Sequence, residues 1–136
     1  MYLMTQESLT TLIQKLKELR EELDKVQLEM GSAASSNADL RENFAFNERQ
    51  ERIFYLQMEI MRTKEKIGNA KLIGFKRSKK IGLLSSVKIV HKDGKPEENY
   101  LIGSEIDAVL FPTKYLNHHS PIAKKMIKEN LAVLEI

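Results

Sequence analysis

From Leu9 onward the large apolar residues fall at Leu9, Leu12, Leu16, Leu19, Leu23, Val26 and Met30, an unbroken alternation of three and four. That spacing predicts a helix with one a/d seam, narrower than the face a globular helix normally buries. Between the seam positions lie Lys15, Lys17, Glu18, Arg20, Glu21, Glu22, Asp24 and Lys25, many placed to pair at i to i+4. Such a helix is solvated over most of its surface and needs a partner along one stripe only. The next segment supplies it: Phe46, Ile53, Ile60 and Ile67 recur every seven residues, with Leu56, Thr63 and Ala70 lying three beyond the last three of them. Gly31 and the SAASSNA after it hold no large apolar residue, so the chain reverses there. The expectation is an antiparallel coiled-coil hairpin over residues 1–71. Its second helix starts at Asp39 and stops near Gly68 and Asn69, residue types that close helices in the left-handed conformation. About 29 residues at a helical rise of ~1.5 Å give a rod of roughly 43 Å. The roughly 65 residues that remain cannot wrap it, so most of the rod projects into solvent.

After Lys71 the period changes. LIGF and LLSSVKIVH carry β-branched residues in partial alternation, and Val87 and Ile89 share a face opposite Lys88. The Asp93-Gly94 pair between that run and ENYLIG is a hairpin signal. Ser120-Pro121 opens a short helix, IAKKMIK, with Ser as N-cap and Pro at the first helical position. LAVLEI reads as a final buried strand. Residues 72–136 are therefore expected to form a small antiparallel sheet with one short helix, which makes the whole chain α+β.

Composition narrows the function. With 136 residues, 30% of them charged, and a mean hydropathy of -0.38, the chain has room for a small domain plus an extended element. No apolar run approaches the ~18 residues of a membrane span and no secretory signal opens the chain, so the cytoplasm is the expected compartment. Zero cysteines exclude disulfides and thiolate sites. Residues 1–71 hold 11 basic and 12 acidic side chains, and residues 72–136 hold 11 and 7, so the net +3 is concentrated in the second part. Its densest cluster is Lys76, Arg77, Lys79 and Lys80: a solvated loop, or a contact for an acidic partner or phosphate.

The candidate chemistry lies at the bend, where SNADLRENFAF places Asp39 and Glu42 three residues apart. An acid before a helix with Glu three residues on is a capping box. Two carboxylates on an exposed tip can also meet something outside the protein, for a hard cation such as Mg²⁺ takes carboxylate oxygens. On a thin rod they could complete a metal site belonging to a larger enzyme, as in two-metal phosphoryl chemistry. Phe46 is in register with the seam, while Phe44 lies two residues earlier and off it. Arg41, Arg49 and Arg52 are ordinary helix arginines or a means of steering the tip toward a phosphate-lined cavity. His118 and His119 lack a third ligand at metal spacing. No nucleophile-and-base pattern, Walker loop or dinucleotide fingerprint occurs, so no complete active site of the chain's own is expected.

DLRENFAF resembles the tip motif of the Gre transcript cleavage factors of bacterial RNA polymerase. Met4-Thr5, the leucine-rich first helix, IGNAKLI and HHSPIAKKMI resemble their Gre counterparts in the same order. The resemblance implies a coiled-coil hairpin followed by an FKBP-like domain, in a monomeric accessory factor with no intrinsic cofactor. That factor docks at the polymerase secondary channel and reaches the active site with its tip. There Asp39 and Glu42 would help hold the polymerase's second Mg²⁺, with a water that hydrolyses backtracked RNA, so the nascent 3′ end is an indirect partner. Arg41, Asn43, Phe44, Arg49, Arg52, Ser120, Pro121 and Ile122 are then the candidate polymerase contacts, and any DNA binding is weak. Gre factors usually carry Gly where this chain has Ala38, an acid at Ala45 and Tyr at Phe46, and their C-terminal domain has about one more strand. These departures motivate a second expectation, a secondary-channel binder that inhibits or retunes the polymerase without cleavage. A third treats the hairpin as a scaffolding or oligomerisation element. A prolyl isomerase activity does not follow from an FKBP-like fold, because fold does not carry function.

Overall fold

The computed structural model describes residues 1–34, 40–74 and 79–136, with the helical residues nearest the bend, 31–34 and 40–43, described as backbone. The chain divides into two compact units, Thr10–Asn69 and the combination of Met1–Leu9 with Ala70–Ile136.

The first unit is the helical hairpin. α1 spans Gln6–Ala34 and α2 spans Leu40–Gly68, 29 residues each. Partner numbers fall along α2 as they rise along α1: Lys15 pairs with Glu59, Glu22 with Arg52 and Glu29 with Arg49, which makes the helices antiparallel. The seam lies where the three-four spacing puts it. Leu12, Val26, Leu56 and Thr63 are buried, and Leu16, Leu19, Leu23, Ile53, Ile60 and Ile67 are half-buried. α1 continues helical through Gly31 to Ala34, past the point where the apolar seam thins. Phe46 is half-buried, and Phe44 is 66% exposed.

Leu56 has no exposed surface, and replacing it by alanine removes its packing and leaves a gap. Because water reaches a two-helix seam more readily than a closed core, the expected loss is at the low end for such a change, about 2–3 kcal/mol. Urea denaturation followed by helical circular dichroism measures it; an unchanged midpoint would mean that the seam does not hold the hairpin.

The second unit is α+β, as expected, but its sheet is mixed. β3 (Ser86–Val90) pairs antiparallel with β4 (Glu98–Gly103) around a turn in which Gly94 takes a φ of 84°, the left-handed region that favours glycine. β5 (Tyr115–Asn117) adds parallel to β4, and β6 (Val133–Glu135) adds parallel to β3, giving the order β5-β4-β3-β6. The antiparallel expectation thus holds only for the central pair. Parallel neighbours need a crossover connection: α3 (Glu105–Leu110), which the periodicity did not suggest, carries the one from β4 to β5, and α4 (Pro121–Glu129) carries the chain from β5 to β6 at the opposite edge. α4 begins at Ser120-Pro121 as expected, Ser120 Oγ accepting from the Ala123 N–H at 3.3 Å. Of LIGF, Leu72 ends β2 (Ala70–Leu72), which pairs parallel with β1 (Tyr2–Met4) in a separate two-stranded sheet; Ile73 and Gly74 lie beyond the strand, and Phe75 lies outside the described residues. β6 is an edge strand with only Leu134 buried.

Val87, Ile102, Met126 and Leu134 form the core, flanked by Ile81, Tyr100, Leu116, Ile122, Ile127 and Leu131. Gly103 is needed for close approach: a Cβ there would lie 2.8 Å from Tyr115 Cδ1 and 3.0 Å from Asp107 Cβ.

Candidate functional site

α2 begins at Leu40, so Asp39 directly precedes it in the chain and Glu42 is its third residue. Asp39 and the side chains of Arg41, Glu42 and Asn43 lie outside the described residues, as do Ala38 and the Lys76-Arg77 part of the basic loop. The site is therefore built from what flanks the bend. Arg49 lies 3.8 Å from Glu29. Arg52 Nε donates to Glu22 Oε1 at 3.1 Å, a second guanidinium nitrogen donates to the same oxygen, and the guanidinium lies 5.3 Å from the Tyr55 ring centroid. These exposed ion pairs set register more than they add stability. Arg49 and Arg52, two of the three arginines among the candidate contacts, thus already have a partner on α1. Phe44 is exposed.

The three residues named on α4 differ in exposure. Ser120 caps the helix, Ile122 packs on the core and Pro121 is exposed. Next to them the rings of His118 and His119 lie against each other, tilted by 36°, with centroids 3.8 Å apart. Burial, then the neighbouring His119, pushes the His118 pKa down, against a smaller opposing effect of Asp107. Among the described residues no cluster of three or more His, Asp or Glu could hold a metal, and no helix is long and apolar enough to cross a membrane.

The most heavily bonded polar group was not picked out from sequence. Asp107 is fully buried. Its Oδ1 accepts from the Thr5 N–H at 3.0 Å, from the Thr5 hydroxyl at 2.9 Å and from the Ser8 hydroxyl. Its Oδ2 accepts from the Ser104 N–H at 3.0 Å and the Ser104 hydroxyl at 2.9 Å. Thr5 in turn caps α1, its Oγ1 accepting from the Ser8 N–H at 3.2 Å. One carboxylate thereby serves the start of two helices. Burial pushes its pKa up, but the bonds from Ser8, Thr5 and Ser104 outweigh burial and hold it below the ordinary Asp value. Ser104-x-x-Asp107 is a capping-box spacing, which was the available signal. Nearby, Glu7 Oε2 accepts from Lys114 Nζ at 2.6 Å and Tyr115 OH at 2.9 Å. Asp107 is a structural clamp with every oxygen occupied.

Two long antiparallel helices joined to a small mixed sheet define a class of hairpin-bearing α+β proteins, and comparison with known proteins says which. Residues 2–72 match the family model described as transcription elongation factor, N-terminal (GreA_GreB_N). The chain is 31% identical over 133 residues to transcription elongation factor GreA of Staphylococcus epidermidis, spanning 96% of this chain and 82% of that protein. It is 29% identical over 131 residues to GreA of Staphylococcus saprophyticus, with the same two coverages, 96% and 82%. In fold it is similar to the transcription factor Gfh1, with a TM-score of 0.51 at 18% identity over 93% of this chain and 81% of that one. A Gfh1 structure from Thermus thermophilus gives 0.50 at 18% identity, over 96% and 82%. The chain belongs to the GreA/GreB family of transcription elongation factors.

Proposed function

We propose that this protein is an accessory factor of bacterial RNA polymerase, acting in the cytoplasm, that inserts its hairpin into the secondary channel and stimulates cleavage of backtracked RNA. The observation that carries the reading is the position of Asp39 and Glu42 in the chain, at the start of α2 in a hairpin whose helices, among the described residues, bury chiefly their shared seam. Two carboxylates are a hard-oxygen donor set that suits Mg²⁺, which keeps most of its waters and needs only one or two protein ligands at such a site. Such an ion, the polymerase's own, would supply charge stabilisation and an activated water. Asp39 and Glu42 would contribute ligands to it, Arg41 and Asn43 border them in the motif, and Ser120, Pro121 and Ile122 are the docking contacts of the second unit.

The test is a stalled, backtracked elongation complex to which the protein is added. Release of a 3′ RNA fragment faster than the polymerase's intrinsic rate is expected. Binding without added release would favour the second reading, a channel binder that retunes the polymerase, for which Ala38, Ala45 and Phe46 are the motivating residues.

A further inference from the structure

α2 carries two apolar faces, and α1 covers only one of them. Away from the seam, Phe54, Met58 and Met61 follow each other at spacings of four and three, 64%, 37% and 70% exposed, with Tyr55 beside them at 51%. Met58 and Met61 line an open groove together with Arg62, Lys64 and Glu65. Glu51 and Glu65 continue the same three-four spacing at either end and are exposed, with no ion-pair partner among the described residues. The stripe is thus short and bounded by acids.

Its size decides what can cover it. Four large side chains at these exposures present on the order of 400 Å². That is as large as the main patch on an ordinary monomer, and such patches are often functional. It is also only about half of the ~800 Å² that each side of a stable interface contributes. A partner held by this stripe alone would dissociate. A second copy is further disfavoured because an antiparallel copy centred on Met58 sets Glu51 against Glu65 at both ends, and like charges juxtaposed across an interface are repulsive. A partner already fixed elsewhere on the chain meets the stripe at high effective concentration, where a small patch adds its full contribution.

We infer that the Phe54–Met58–Met61 stripe is a shaft contact that packs against an apolar part of the polymerase channel wall while the tip is inserted. This rests on the proposed function, which supplies the prefixed partner. Methionine suits the role because its flexible, polarisable side chain adapts to an irregular surface. The contact is apolar, so its contribution to binding changes little with salt.

The experiment is titration of the fluorescently labelled full chain with core RNA polymerase at two salt concentrations. The variants are Phe54→Gln/Met58→Gln/Met61→Gln and Phe54→Leu/Met58→Leu/Met61→Leu. Both replace exposed residues by good helix formers, and circular dichroism checks that the hairpin persists. At least a tenfold loss of affinity is expected for the glutamine variant at both salt concentrations, with affinity kept by the leucine variant. If the wild type binds and the glutamine variant binds as tightly, the inference fails and the proposed function stands. If the wild type does not bind polymerase, both fail. If sedimentation shows a wild-type dimer that the glutamine variant abolishes, the occupant is a second copy and the inference is overturned.

Discussion

Replacing Asp39 and Glu42 together by alanine is expected to abolish stimulated release of RNA from a backtracked elongation complex while leaving polymerase binding nearly intact. Loss of preorganised charge at a reacting centre typically costs on the order of 10²–10³ in rate, whereas two side chains at the end of a rod add little to docking. Alanine alone does not separate the two roles the spacing allows, because it also removes a cap and its effect could come from fraying of the first turn of α2. The decisive variant is Asp39→Asn/Glu42→Gln. Asparagine caps a helix about as well as aspartate, and glutamine serves in a capping box as glutamate does. Neither amide brings a negative charge to a divalent cation. If the pair acts on metal, the amide variant folds like wild type and is nearly as inactive as the alanine variant. If it retains full cleavage stimulation, the acids are caps only.

The hairpin was legible in the chain because its cause is local and periodic. Seven apolar positions from Leu9 to Met30, and their counterparts from Phe46 to Ala70, name the seam. The same logic runs out at Phe54, Met58 and Met61, which also follow a three-four spacing; periodicity gives a helix its stripes but not which one a neighbour covers. In the sheet unit the Ser120-Pro121 start of α4 was legible, since a cap is a contact within three residues. The parallel placement of β5 and β6 was not, because it depends on crossovers and on α3, a helix too short to show a period. The candidate tip was legible as one acid before α2 and another in its first turn, but what they do depends on a partner outside the chain. Asp107 was missed for a related reason: its donors Thr5 and Ser8 lie 102 and 99 residues away in sequence, and no local pattern joins them.

That clamp makes the second large prediction. Asp107→Ala is expected to cost about 3–5 kcal/mol, because it leaves the Thr5 and Ser104 N–H groups and three hydroxyls buried without their acceptor. Asp107→Asn should recover less than half of the loss, since its amide turns two donors toward groups that are themselves donors. Both are measured by denaturant unfolding, with amide exchange of Thr5 as the local reporter. The pH dependence gives an independent check. Burial raises the Asp107 pKa, but the hydrogen bonds bring it below its unfolded value of about 3.9. A group depressed on folding contributes its stability in full above the unfolded pKa and loses it as pH falls through the folded one. The gap between wild type and Asp107→Ala should therefore be constant near neutrality and narrow below about pH 4, as protonation takes charge from the acceptor in the wild type. A gap that stays the same into acid would mean that shape, rather than the ionised carboxylate, holds the two helix starts together.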